Sequence, residues 1–340
     1  MSTHTIYTGN SNAMSHVADQ SVNLIVTSPP YPMIEMWDAV FSEQDAQIAE
    51  ALKAGNGMAA FRKMHALLNA VWAECNRVLS DNGFICVNIG DATRTIAGDF
   101  QLYSNHTQVI NYFSGRGYCV LPDIHWRKQS NAPNKFMGSG MYPAGAYVTY
   151  EHEYILIFRK GGKRVFTGEE KQRRQKSAFF WEERNVWFSD LWDIKGTSQA
   201  IVSKKAARDR NASFPFEIPY RLVNMYSAEG DTVLDPFAGL GTTNIACMAA
   251  NRNSIGYEID PSIAEIALEN MQLSPLDINH IVVSRINDHI AFINSLPAEK
   301  KEKCYHNPHH HFLVKTKQET AIQLDQISSI SRAGNSIICE

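Results

Sequence analysis

The sequence predicts an α/β protein built on a doubly wound, mostly parallel sheet. Three observations carry that reading. Continuous apolar, β-prone runs at 22–27, 84–89 and 154–158 have the character of strands covered on both faces. Over residues 60–79 apolar side chains recur at helical spacing, with Phe61, Met64, Leu67, Leu68, Val71, Trp72, Cys75, Val78 and Leu79 on one face. Further on, a glycine-rich turn stands between a strand and a helix, the place where such sheets hold ligands.

In chain order, residues 5–31 read as strand, turn, helix and strand. The helix over 60–79 is expected to stop at Asp81-Asn82-Gly83, residues typical of helix C-termini. A strand at 84–89, a helix near 105–115 and strands at 118–126 and 153–159 follow. From about 160 to 210 the alternation fails. It returns with a helix at 220–226, a strand at 232–234, a helix at 243–250 and a strand at 254–259. The next helix has Asp260 as a cap and Pro261 at its first position. These shifts divide the chain into 1–160, 161–211, 212–275 and an extension at 276–340 of no assigned role.

Composition excludes several classes. With 44% hydrophobic and 20% charged residues the chain is an ordinary globular protein. It has no apolar run of membrane-spanning length and no basic, apolar leader, so a cytoplasmic protein without a membrane partner is expected. Six cysteines without a C-x-x-C pair read as reduced thiols. The net charge of −3 hides an asymmetry: residues 159–210 hold 14 Lys/Arg against 7 Asp/Glu, and the rest hold 18 against 28. A basic surface on an acidic body is expected. Phe179, Phe180, Trp181, Trp187, Phe188 and Trp192 interleave with that charge, a mixture suited either to nucleic acid or to a small satellite core.

Ser28-Pro29-Pro30-Tyr31 directly follows the run 22–27. Two prolines cannot continue a ladder, so the strand must end in a stiff, extended turn with free carbonyls. A hydroxyl at one end and an aromatic ring at the other could hold a planar amino group and stack its ring. Downstream, Asp235-Pro236-Phe237-Ala238-Gly239-Leu240-Gly241-Thr242-Thr243 links a strand to a helix. Its glycines allow close approach of a ligand, and the helix start favours a negative group. Glu258 closes the next strand 23 residues beyond Asp235, where an acidic side chain meets ribose hydroxyls. His306 and His309-His310-His311 lack a second ligand pair, so no metal site is expected there.

Together the two motifs resemble the S-adenosylmethionine-dependent amino-methyltransferases of DNA. In that family D-P-F-x-G-x-G-T-T is the cofactor motif and (D/N/S)-P-P-(Y/F/W) the catalytic one. The resemblance covers roughly residues 5–160 and 212–275. The order, catalytic motif first, matches the circularly permuted β group with its Rossmann-like class I fold, in which the intervening segment recognises the DNA target. There are departures: Gly9-Asn10-Ser11 lacks the family's usual acidic residue, and Asn211-Ala212-Ser213-Phe214-Pro215 matches H-P-A-x-F-P without its histidine.

The resemblance implies that the Ser28 hydroxyl and Pro29 carbonyl accept amino hydrogens of a flipped base, with Pro30 stiffening the turn and Tyr31 stacking. It implies that Asp235 and Phe237 border the methionine part of S-adenosylmethionine, that Gly239 and Gly241 allow its approach, that Thr242 and Thr243 meet its carboxylate and that Glu258 binds its ribose, with Phe214 and Pro215 on the cofactor side. Lys163, Arg164, Arg173, Arg174, Lys176, Lys204 and Lys205 are the candidate contacts to double-stranded DNA. Asp91 and Trp126 are left outside the site. Within that family serine in the first motif position is found mostly in cytosine-N4 enzymes, so the resemblance implies cytosine N4, with adenine N6 as the alternative; no Pro-Cys pair is present for C5 chemistry. The expected partner is a restriction endonuclease, with the enzyme a monomer or homodimer. An NAD-dependent oxidoreductase would need a third glycine that the turn lacks. A non-catalytic DNA-binding protein would not need Ser28 and Asp235.

Overall fold

The computed structural model describes residues 1–128, 138–195 and 214–340. Lys204, Lys205 and Asn211-Ala212-Ser213 therefore lie outside the described residues.

The chain opens with strands β1 (Ser2–Thr8) and β2 (Val22–Thr27). Helices α1 (Asp38–Gln44), α2 (Ala46–Lys53) and α3 (Gly57–Val78) lead to β3 (Leu79–Ile89). A hairpin of β4 (Ala92–Ile96) and β5 (Asp99–Tyr103) precedes α4 (Asn105–Ser114), β6 (Cys119–Arg127) and β7 (His152–Arg159). Next come α5 (Gly168–Lys176), α6 (Trp181–Trp187) and the short β8 (Leu191–Trp192). Alternation resumes with α7 (Glu217–Tyr226), β9 (Thr232–Asp235), α8 (Thr242–Ala249), β10 (Asn253–Glu258) and α9 (Pro261–Met271). The last part holds α10 (Pro275–Ser295), α11 (Ala298–Lys301), β11 (Tyr305–Asn307), β12 (Phe312–Val314), β13 (Ile330–Ala333) and β14 (Ser336–Cys339).

Among the described residues ten strands form one sheet in the order β13-β14-β1-β10-β9-β2-β3-β7-β6-β8. The five central strands, β1, β10, β9, β2 and β3, are mutually parallel. Two strands run against the rest. β7 is antiparallel to β3 and β6, and β14 is antiparallel to β1 and β13. The apolar run of β7 does not reveal its direction, because a strand between two neighbours is covered on both faces either way. Alternation along β2 fills both layers: Leu24 and Val26 face the core beneath α7 and α8, and Ile25 faces the core beneath α3 and α4.

Two local expectations are corrected. No helix joins β1 to β2. Residues 9–21 make turns whose Met14 and Val17 carbonyls accept from the Arg77 guanidinium, with Met14 N–H donating to Glu74. Helix α3 ends at Val78 as Leu79 turns extended, before Asp81-Asn82-Gly83. Asn82, at a φ of 71°, instead marks an irregularity at the start of β3, with its N–H on the Lys160 carbonyl. Asp260 does cap α9 through the Ser262 N–H, with Pro261 in the first turn.

The aromatics of the basic segment divide. Phe180, Trp187 and Trp192 are buried, whereas Trp181 and Phe188 are more than 40% exposed. Phe180 stacks on His289 of α10 at 3.8 Å and packs with Val314 and Ile322. Glu183 and Glu182 of α6 hold Arg285 and His289 of α10. Much of this segment is thus a satellite core shared with the C-terminal extension. His310 accepts from the Leu324 N–H inside that unit. Among the described residues no group of His, Cys, Asp and Glu is placed to hold a metal ion, and no helix is long and apolar enough to cross a membrane.

Candidate active site

Both motifs leave the C-terminal ends of adjacent parallel strands, β2 and β9. Asp235 ends β9 and is buried. Its Oδ1 accepts from Thr27 Oγ1 at 2.6 Å and from Phe237 N at 3.0 Å, and its Oδ2 accepts from Thr243 Oγ1 at 2.6 Å. Burial pushes its carboxyl up to about 6, against the opposing pull of those hydrogen bonds. Thr27, immediately before Ser28, therefore ties the two motifs together.

Beyond Thr27 the prolines turn the chain toward β3 and β7. Tyr31 Oη donates to Glu153 Oε2 at 2.8 Å and accepts from Asn88 Nδ2 at 2.7 Å. Ser28 Oγ lies 3.0 Å from Tyr31 Oη, and Asn88 Nδ2 also reaches Glu153 Oε2 at 2.8 Å. Lys128 Nζ holds the other Glu153 oxygen at 2.9 Å. Burial, then the nearby Glu153 charge, raises the Tyr31 phenol well above its ordinary range, so it stays protonated. The ring lies so close to Gly90 that a Cβ there would stand 3.1 Å from Tyr31 Cε2.

Asn88, Gly90, Lys128 and Glu153 escaped the sequence reading. Glu153 reaches the site because β7 is antiparallel, which brings its first residues to the edge where β2 and β3 end. An amide inside the otherwise apolar run of β3 was the available signal for Asn88. Asp91 and Trp126 have structural partners instead. Asp91 accepts from the His106 N–H and pairs with its ring, and Trp126 Nε1 donates to the Ile194 carbonyl.

On the cofactor side Gly239 and Gly241 have φ of 52° and 79°, values that favour glycine. Glu258 closes this loop, Oε2 accepting from Gly239 N and Oε1 from Asp260 N, each at 3.0 Å. Burial raises its carboxyl above the usual range, opposed by those N–H groups. The two threonines differ: Thr243 spends its hydroxyl on Asp235, whereas the buried Thr242 Oγ1 has no partner. Phe237 packs edge-on to Trp72, and Phe214 and Pro215 are buried where α7 begins. The loop suits S-adenosylmethionine on three counts. Space is open above Gly239, the orphan Thr242 hydroxyl stands in the first turn of α8, and a carboxylate waits on the neighbouring strand.

Among the described residues the basic candidates do not converge on this edge. Arg164 grips Asp231 with both nitrogens, at 2.7 and 3.0 Å, and stacks on Phe166 with Arg174. Arg173 lies beside Gly230. Gly230 and Asp231 precede β9, so this cluster sits at the opposite end of the strand from Asp235. Lys163 is exposed, and the Lys176 carbonyl accepts from Gln323 N. Among the described residues the segment rejoins the sheet at β8, which pairs with His125 and Trp126.

A glycine loop closing on a strand-end carboxylate, beside a Ser-Pro-Pro-Tyr turn on a mostly parallel sheet, defines an S-adenosylmethionine-dependent methyltransferase of class I fold. The chain belongs to the N6_N4_Mtase family of DNA methylases, whose model matches residues 22–269. Type II methyltransferase M.MthZI of Methanothermobacter thermautotrophicus is 53% identical over 325 residues, covering 95% of this chain and 90% of that protein. Type II methyltransferase M.MjaI of Methanocaldococcus jannaschii is 48% identical over 279 residues, covering 79% and 91%. TTHA0409 of Thermus thermophilus, assigned as a DNA modification methylase and solved with S-adenosyl-L-methionine, is 29% identical with a TM-score of 0.58, over 78% of this chain and 93% of its own. PvuII DNA methyltransferase, cytosine-N4-specific, shares the fold at 16% identity and the same TM-score, over 84% and 94%.

Proposed function

We propose that this DNA methyltransferase acts on the exocyclic N4 amine of a cytosine flipped from double-stranded DNA, and protects that DNA from a partner restriction endonuclease. The observation that carries the choice of base is Ser28: a hydroxyl, not a carboxylate, stands first in the amino-group clamp. The Type II methyltransferase relatives support the pairing with a nuclease.

S-adenosylmethionine supplies the methyl group on a sulfonium. Asp235, Phe237, Thr242 and Glu258 would hold it, with Gly239 and Gly241 giving room and Phe214 and Pro215 lining its side. An exocyclic amine is a poor nucleophile because its lone pair is delocalised into the ring. The Ser28 hydroxyl and Pro29 carbonyl would draw its hydrogens from the ring plane, and Pro30 and Tyr31 would fix the base for in-line attack. Flipping the base costs roughly a few kcal/mol, which stacking on Tyr31 offsets.

For the DNA grip we assign Lys204 and Lys205, in the part of the basic segment that follows β8. Digestion to nucleosides after reaction with labelled cofactor tests the base, with N4-methylcytosine expected. Finding 6-methyladenine alone would establish the second reading, adenine N6. The Glu153 carboxylate, one hydroxyl removed from Ser28, is the observation that favours that alternative.

A further inference from the structure

The Ser28 and Tyr31 hydroxyls and the Glu153 carboxylate form a chain with one direction. Tyr31 has a single hydroxyl hydrogen, and it goes to Glu153 Oε2 at 2.8 Å. In the 3.0 Å contact between Ser28 Oγ and Tyr31 Oη, Ser28 must then be the donor. Asn88 Nδ2, donating to Tyr31 Oη at 2.7 Å and to Glu153 Oε2 at 2.8 Å, holds both acceptors in that sense. Ser28 Oγ keeps a lone pair for a hydrogen of the substrate amine. At the far end the Lys128 side chain, 58% exposed, bonds Glu153 Oε1 and links the buried carboxylate to the surface.

We propose that Glu153 is the terminal proton acceptor of a Ser28–Tyr31 hydroxyl relay that discharges the newly methylated amine. This rests on the amino-methyltransferase reading. In transfer the amine lone pair forms the N–C bond, and the S–C bond breaks with its electron pair left on sulfur. The positive charge thus moves from sulfur to nitrogen. The nitrogen loses one hydrogen as a proton to Ser28 Oγ, Ser28 passes its own to Tyr31 Oη, and Tyr31 passes its own to Glu153 Oε2. The products are a neutral methylamine, neutral S-adenosylhomocysteine and a protonated Glu153, which returns the proton to solvent beside Lys128.

Glu153 touches no substrate atom and acts through Tyr31, as a positioning and proton-holding group. The side chains facing it are Tyr31 from the turn after β2, Asn88 from β3 and Lys128 at the end of β6. His152 and Tyr154 flank it on β7, and His125 of β6 stacks on His152.

The test uses the full chain, unmethylated genomic DNA and labelled S-adenosylmethionine, with single-turnover transfer followed across pH. Tyr31→Phe keeps the ring and breaks the relay; Glu153→Gln removes its acceptor. Each is expected to slow transfer about ten- to a hundredfold, within the range of general acid–base catalysis, and to lose the fall in rate at acid pH. Cofactor affinity should stay within about threefold, measured without DNA. The double variant should be no slower than either single one, and Glu153→Asp should recover part of the rate. An independent readout needs neither DNA nor turnover. With carbon-13-labelled tyrosine, the Tyr31 resonance, identified by its loss in Tyr31→Phe, should move in Glu153→Gln, which changes the acceptor of its hydroxyl. Wild-type rate and pH profile in Tyr31→Phe, which leaves the Glu153 carboxylate in place, would overturn the relay, as would a Tyr31 resonance indifferent to Glu153. No transfer by the unaltered protein would overturn the relay together with the reading beneath it. A 6-methyladenine product with a slowed Tyr31→Phe would support the relay and overturn only the choice of base.

Discussion

Thr27 Oγ1 donates to Asp235 Oδ1 across 2.6 Å, joining residues 208 positions apart. The bond fastens the last residue of β2, just before the Ser28-Pro29-Pro30-Tyr31 turn, to the carboxylate that opens the glycine loop after β9. Displacement of one motif is therefore transmitted to the other.

The raised Asp235 carboxyl predicts a pH dependence of cofactor binding. It ionises only above about 6, and its negative form is the one that attracts a sulfonium. Affinity for S-adenosylmethionine should fall as pH drops through about 6, approaching tenfold per unit. Stability of the cofactor-free protein runs the other way. The folded value lies above the ordinary 3.8, so the contribution is fully present below 3.8 and is lost as pH rises through about 6. Asp235→Asn should flatten both curves, and calorimetric titration from about pH 5 to about pH 8 measures the first. An affinity that still falls in the variant would assign the effect to another group.

Tyr31→Ala should leave cofactor affinity unchanged and cripple transfer. It also strands Asn88 and Glu153, so a stability loss of about 1–3 kcal/mol is expected in thermal or urea unfolding. Equal turnover in this variant would remove the stacking role.

Gly256 lies where β10 passes under the cofactor loop. A Cβ there would come within 2.6 Å of Ile6 Cδ1 and 2.8 Å of Ala238 Cβ. Gly256→Ala should cost about 1–3 kcal/mol by overpacking. A melting temperature equal to that of the unaltered protein would show that the loop gives way without cost.

Arg164 is committed to Asp231, so Arg164→Gln should lower stability by about 1–3 kcal/mol and leave DNA affinity alone. Filter binding and urea unfolding on the same preparation separate the two effects.

The position of Arg173 at the far end of β9 predicts that Arg173→Gln with Arg174→Gln leaves the salt dependence of DNA binding unchanged. Lys204→Gln with Lys205→Gln should reduce the slope of log affinity against log salt by about two. The reverse pattern would place the DNA against Arg173 and Arg174.

Much of the molecule was legible in the chain because its signals are local. The apolar run ending at Thr27, the Asp260–Pro261 helix start and the glycines at 239 and 241 each answer to backbone rules acting over a few residues. The two motifs and Glu258 were readable for the same reason: strand ends and tight turns demand particular residue types. Only the tertiary structure decided the direction of β7, and with it the arrival of Glu153 beside Tyr31, since an apolar strand buried between neighbours carries no mark of its orientation. The fate of the basic segment was hidden likewise. Phe180 and Trp187 are core because α6 packs on α10, and Arg164 is an anchor because Asp231 comes within reach. Charge and aromaticity are properties of the chain, but whether they face DNA or each other depends on what the fold places opposite them.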